Sequence, residues 1–459
     1  MWSTLELRHA DLGDLRLNKR LVKLVDDLLS APEVSVPQAS GDWAATKAAY
    51  RFWDNPRVDP DAIAAAHRQS TCERLPARGP ILAIQDSTSI DFTDHPETRG
   101  LGYLGHPKRL GLWLHSTLAV SDEGVPLGLI DQRTWTRDPA TLGKRAQRRS
   151  KETAEKESQR WLDALAATEA ALPAESMVVT VADREADFYD LLAAPRRPGS
   201  HLLVRAKPRR RVRHVERLLG DAVRAQPARG EIAVDLRRGD DRPARKAILT
   251  VRFTTLEIAP PSTHPRRKEL PHLKITAILV EEEDPPAGRK PVRWWLVTTL
   301  PINSLADAER AVRWYTLRWL IERYHFALKS GCRIERLQLE TAERLRRALA
   351  TYAVVAWRLL WLTYRSRHHP EESCETVFPR EQWRLLHGAV FKTKPVPSTP
   401  PTLREAVRQI ARLGGFLARK GDGEPGVKTI WRGLRRLEDL MTGWKLSLQN
   451  PIDRDVGNA

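Results

Sequence analysis

The chain has 459 residues, 41 % of them hydrophobic, which is enough for several domains with a large core and excludes a disordered chain. Three scattered cysteines, Cys72, Cys332 and Cys374, form no Cys-x-x-Cys pair; that argues against a disulfide framework or a cysteine-rich zinc site and fits a reducing cytosol. Lys and Arg number 76 against 58 Asp and Glu, a net charge of +18, so the expected partner is a polyanion such as nucleic acid.

The opening MWSTLELRHADLGDLRLNKR has no signal-peptide core, and no run is apolar for the length of a membrane span. A cytoplasmic protein without a membrane partner is therefore expected. Residues 1–65 read as helical. In LRLNKRLVKLVDDLL, Arg16, Lys19, Arg20 and Lys23 share one face, and Leu17, Leu21 and Leu24 another. WAATKAAYRFWDNP interleaves Trp43, Lys47, Tyr50, Arg51 and Trp53, then stops at Asn55-Pro56. A basic helix face alone is usually just solvated. Two basic-aromatic helices in so basic a chain make Lys47 and Arg51 candidate DNA contacts.

From residue 80 the pattern becomes α/β. PILAIQD reads as a short apolar strand ending in Asp86. LWLHSTLAVSDEGVPLGLIDQRTW reads as two strands joined by a turn at Asp122-Glu123-Gly124. A helix follows, then the buried strand SMVVTVAD, ending in Asp183, and the strand HLLVRAK. Residues from about 228 to 300 alternate in β fashion. A capping box, Ser304 to Asp307, opens helix that stops at Gly331, either as one helix or as two broken near Tyr315-Thr316. A further long helix, a Pro-rich linker at 392–401 and a last helical segment complete the chain.

Asp86 and Asp183 lie where an α/β sheet presents side chains to a site, although a strand-end Asp is often only a turn former or a cap. Glu322, on a helix, is a third carboxylate. Three such carboxylates suit hard cations such as Mg²⁺, and two ions can serve an in-line displacement at phosphorus. In YTLRWLIERYHFALK, Tyr315, Arg318, Glu322 and Lys329 fall at steps of three, four and seven. On an ideal helix they share a stripe roughly 60° wide. Rival motifs are weak: GLGYLG (100–105) follows no strand and opens no helix. The basic runs at 144–151 and 207–214 suit phosphate contact or plain solvation.

These residues resemble a known family. The spacing Tyr315, Arg318, Glu322, Lys329 is similar to the YREK pattern of DDE transposases of bacterial insertion sequences, in the branch containing the transposon-five transposase. LAIQDSTSI and VADREADFYDLL resemble that family's two aspartate motifs, and AAYRFWDNP, EKESQRWL, DRPARKA, RWWLVTT and IARLGGF also match in order. The resemblance implies an α/β, RNase H-like catalytic domain (66–365) with a β-rich insertion at about 228–300. Helical domains would flank it, an end-DNA-binding one at 1–65 and a dimerising one at 366–459. It implies Asp86, Asp183 and Glu322 as catalytic ligands of two Mg²⁺ ions, with Mn²⁺ as substitute. Tyr315, Arg318 and Lys329 would hold phosphates at the transposon end. Trp294, or its neighbour Trp295, would stack on a flipped base, and Arg205 and Lys207 would touch DNA. The implied activity is cut-and-paste transposition: end nicking, hairpin formation and opening, and joining to target DNA by a homodimer. The alternatives are an RNase H-like nuclease without strand transfer and a domesticated, non-catalytic DNA-binding protein.

Overall fold

The computed structural model describes residues 2–141, 143, 152–236, 244–392 and 395–449. Five helices come first: α1 (Trp2–Glu6), α2 (Leu15–Ser30), α3 (Val36–Ser40), α4 (Trp43–Asp54) and α5 (Pro60–Glu73). Asp14, Asp42 and Asp59 start α2, α4 and α5 by accepting backbone N–H bonds that a helix leaves open. The α/β portion runs β1 (Ile81–Asp91), β2 (Gly102–Tyr103), β3 (Leu110–Ser121), β4 (Pro126–Trp135), α6 (Gln159–Ala171), β5 (Val178–Ala182), α7 (Tyr189–Ala193) and β6 (Ser200–Arg205). It continues through α8 (Leu219–Arg224), β7 (Gly230–Leu236), β8 (Arg245–Ile258), β9 (Leu273–Glu281) and β10 (Arg293–Thr298). Helices α9 (Leu305–Thr316), α10 (Trp319–Phe326), α11 (Ala342–His368), α12 (Arg380–Phe391), α13 (Leu403–Leu413) and α14 (Val427–Gln449) follow.

The described strands form one mixed sheet. β1, β5 and β6 are parallel neighbours, and β3 and β4 extend the sheet antiparallel beyond β1. The order β4-β3-β1-β5-β6 is the RNase H-like core. Every residue of β5 is buried, as a central parallel strand covered on both faces requires. The β-rich stretch does not build a sheet of its own. It adds β10, β9, β8 and β7, each antiparallel to the last, to the outer edge of β6. In β7, Ile232, Val234 and Leu236 point inward while Glu231 and Asp235 face solvent, the alternation of a one-sided edge.

The N-terminal helices share the catalytic core. One apolar cluster joins Leu7, Leu21, Phe52 and Trp53 to Leu82 and Ile84 of β1 and to Tyr352 and Trp357 of α11. A buried polar chain reinforces it. His67 Nε2 accepts from the Leu129 amide of β4 at 3.0 Å, so Nδ1 carries the proton and donates to Glu6 at 2.6 Å. Arg74 donates to the same carboxylate. The C-terminal helices close on a second core around Leu403, Ile410, Ile430 and Leu437. There α13 and α14 meet at Gly433, where a Cβ would lie 1.8 Å from the Ile410 carbonyl oxygen, so only glycine permits the approach. Among the described residues, no helix is long and apolar enough to cross a membrane.

Candidate active site

β1 is longer than its apolar run implies. It passes through Asp86 to Asp91 because it stays paired with β3 along its whole length. Its pairing with β5 ends earlier, at Ile84↔Val181. Two residues beyond that pair, Asp86 and Asp183 stand level where β5 stops, in the crevice at the carboxyl ends of the parallel strands. The capping expectation for Asp183 also holds: its Oδ1 accepts from the Glu185 amide at 2.8 Å and starts a single tight turn, Arg184–Ala186. Asp86 Oδ1 accepts from the Ser87 amide at 2.8 Å.

The third carboxylate arrives on a segment with uneven winding. The Ser304–Asp307 capping box starts α9 as expected. At Leu317-Arg318 the hydrogen bonds tighten to three-residue steps: Leu317 N to Trp314 O and Arg318 N to Tyr315 O, both 3.1 Å. At Ala327–Gly331 the winding loosens into a π-turn. Over-winding followed by under-winding breaks the ideal stripe. Tyr315 is turned inward and buried at 5 % exposure, whereas Glu322 stays exposed. Lys329 serves the other end of β1. It donates to the Ser89 carbonyl at 2.9 Å and pairs with Glu335 at 3.1 Å.

Arg318 is the centre of the site. Its guanidinium donates to Glu322 Oε1 and lies 3.7 Å from Asp86 Oδ2. Tyr315 beside it feels the charges of Arg318, Arg205 and Asp183, and burial raises its phenol above the ordinary tyrosine range. Trp294 meets the Tyr315 ring edge-on at 5.8 Å. Adjacent residues of a strand face opposite ways, so Trp295 is buried in the core on the other side, under Arg224. Burial pushes the Asp86 carboxyl up to about 7; Arg318 opposes the rise, and Asp183 and Glu322 add to it. The structure thus gathers Asp86, Asp183, Glu322, Tyr315, Arg318, Arg205 and Trp294.

It does not gather the rest. Lys207 donates its backbone N–H to Asp187 Oδ2 at 2.7 Å, and Arg210 of the same basic run pairs with Asp187. Lys47 and Arg51 lie one turn apart on the exposed side of α4, beyond Trp43, which is 77 % exposed. The basic run 144–151 lies outside the described residues.

One contributor escapes sequence reasoning. Arg160 of α6 donates from Nε to Ser87 Oγ at 2.9 Å and from Nη2 to Glu185 Oε2 at 2.8 Å. It thereby ties the residue after Asp86 to the turn after Asp183. Ser87 Oγ also meets His115 Nδ1 at 2.9 Å, and burial holds that imidazole neutral. The EKESQRWL match contains Arg160 but gives it no role; the tertiary fold supplies one.

Hard carboxylate oxygens are the donors Mg²⁺ prefers. Among the described residues, no three His, Cys, Asp or Glu side chains stand close enough to grip an ion as they are. Instead the Arg318 guanidinium lies between Asp86 and Glu322, in the place a cation would take. The donor chemistry fits, and Arg318 stands in for the positive charge.

A mixed sheet in this strand order, with acidic side chains at the ends of its parallel strands, is that of an RNase H-like domain. The transposase DDE domain family matches residues 80–358, more than half of the chain, and the chain belongs to that family. A transposase DNA-binding family matches residues 1–58, and the transposase Tn5 dimerisation domain matches residues 354–448. The protein is a DNA transposase, with regions that bind DNA and form a homodimer. Its family generally uses divalent metal ions.

Proposed function

We propose that the protein carries out cut-and-paste transposition of an insertion sequence, cleaving element ends through a hairpin and joining them to target DNA. The single observation that supports this reading is the meeting of Asp86 and Glu322 on Arg318 where β5 ends, with Asp183 close enough for its charge to act on Asp86. Asp86, Asp183 and Glu322 would hold two Mg²⁺ ions, or Mn²⁺, which supply activation of the attacking oxygen and charge relief for the leaving one. The protein's own groups do the rest. Arg318 leaves its carboxylates and takes up a non-bridging phosphate oxygen, with Arg205 and the Tyr315 hydroxyl beside it. Arg160 holds the two aspartate loops at fixed separation. Trp294, edge-on to Tyr315, offers its face to an unstacked base. Lys329 holds the end of β1 and adds positive charge along the DNA path. We assign end recognition to residues 1–65, with Lys47 and Arg51 on phosphates, chemistry to 66–365, and pairing of two ends to 366–459.

The test is cleavage of a duplex carrying the inverted repeat that flanks the gene. With Mg²⁺ or Mn²⁺ the wild type yields a nick, then a hairpin, then a flush end. Glu322→Ala binds the same duplex and yields none of them. Nicking that survives in Glu322→Ala overturns the assignment of the triad.

A further inference from the structure

A second charged cluster lies outside the active site, between the α2–α3 turn and α14. Glu33 in that turn accepts from Trp431 Nε1 at 3.2 Å, and its backbone carbonyl accepts from Arg333 at 3.0 Å. Arg432 and Arg435 approach its carboxylate only to 4.0 and 3.9 Å, too far for a hydrogen bond. Lys428, Arg432, Arg435 and Arg436 are spaced by four, three and one along α14, which puts them on one face. Together with Arg333 they line two clefts, of about 610 and 420 Å³, and the carboxylates lining them are Glu33 and Asp439. Five cations therefore face two carboxylates. Arg432 and Arg435 keep nearly half of their side-chain surface in water.

Like charges held this close repel one another, and Glu33, no nearer than 3.9 Å to Arg432 and Arg435, relieves little of that. Exposed guanidinium forks match phosphate oxygens in shape and charge. The large apolar residues that α14 leaves strongly exposed, Leu440, Leu446 and Leu448, lie in its other half, so the basic half offers a protein partner little apolar surface. We propose that this cleft is a second track for the phosphate backbone of duplex DNA, built jointly by the DNA-binding and dimerisation regions. Glu33 is its built-in competitor, a carboxylate in the place of a phosphate. The proposal rests on the protein's being a DNA-binding transposase but not on the assignment of its catalytic residues.

The experiment is fluorescence anisotropy of the full chain with a labelled duplex, titrated from low to physiological salt. Each phosphate contact contributes about 0.9 to the slope of log affinity against log salt. Replacing Arg432→Gln and Arg435→Gln together lowers that slope by about two and weakens low-salt binding about tenfold. Glu33→Gln keeps an acceptor for Trp431 and strengthens binding severalfold. Lys428→Gln, at an exposed position, lowers the slope by about one and serves if the double variant fails to fold. The proposal is overturned if a folded variant leaves slope and affinity unchanged, or if sedimentation shows that the arginine changes alter the mass of the assembly instead. A wild type whose binding ignores salt would undercut DNA binding altogether, a different failure from an unaltered variant against a steep wild type.

Discussion

Two of the places where arginine and carboxylate meet in this molecule are unbalanced in opposite directions. At the end of β5, Asp86 and Glu322 flank Arg318 in a half-buried crevice with Asp183 nearby, and burial, with a smaller push from Asp183 and Glu322, lifts Asp86 to about 7. Between α2 and α14, five cations surround Glu33 and Asp439 in open clefts. The first is an environment that draws cations, the second one that draws anions. The net charge of +18 hides this division. It announces a polyanion, yet the proposed chemistry belongs to the molecule's locally acidic corner. The two clusters also differ in solvent access: burial strengthens charge interactions in the crevice, and water and salt weaken them in the cleft.

The contrast breaks most sharply at Glu322. Glu322→Gln keeps the shape and removes the charge, and end cleavage is expected to fall by about 10⁴-fold or more while end affinity stays unchanged. Residual cleavage within tenfold of wild type, read on a denaturing gel, would mean the acidic corner is not the engine. Next in size is the pair of adjacent tryptophans. Trp295→Ala empties a core site and is expected to cost about 3–5 kcal/mol in urea unfolding. Trp294→Ala should leave stability nearly intact but stall the reaction at the nick. Equal stability losses would erase the difference between the two faces of β10.

A smaller effect comes from pH. The carboxyl of Asp86 is raised from 3.8 to about 7 in the folded chain, so the folded protein holds a proton that the unfolded chain has released. Its stabilising contribution is complete below about pH 4 and is lost as pH rises through about 7. Asp86→Asn lacks this loss. Its melting temperature should match wild type near pH 4 and exceed it by a few degrees at pH 8, a gap that Mn²⁺ closes by stabilising the ionised wild type. A gap that does not change with pH would show that Asp86 keeps its ordinary acidity. Smallest is the exposed side of α4. Lys47→Gln with Arg51→Gln should reduce the salt slope of end binding by about two and leave melting unchanged. A slope equal to wild type would remove α4 from the DNA path.

What the sequence revealed was local. The β3–β4 hairpin, the capping box at Ser304, the aspartate after VVTVA and the two acidic motifs are set by neighbours within a few residues, so pattern and propensity find them. What it concealed depends on distant partners. β1 continues past Asp86 because β3 lies alongside it, and no apolar run signals that. The break near Tyr315-Thr316 that the sequence left open is realised by the tight turn at Leu317-Arg318, but the π-turn at Ala327–Gly331 has no local sign, and together they displace Tyr315 and Lys329 from the ideal stripe. Trp431 presses on Gly331, where a Cβ would come within 2.8 Å of its ring, so the loosened turn sits beneath a residue 100 positions away. Arg160 lies within the EKESQRWL match, but its role emerges only when Ser87 and Glu185 come to it.

The single sheet has a consequence for how the chain is made. Synthesis runs from the N-terminus, so β1, β3, β4, β5 and β6 can assemble before β10 exists. Until residues 293–298 emerge, the outer edge of β6 keeps unpaired N–H and C=O groups, an invitation to pair with another chain. At ordinary rates of synthesis that interval lasts roughly ten seconds. The insertion therefore acts as a late-arriving lid on a sticky edge, and a ribosome that pauses between β6 and β10 prolongs the exposure in which nascent transposase aggregates.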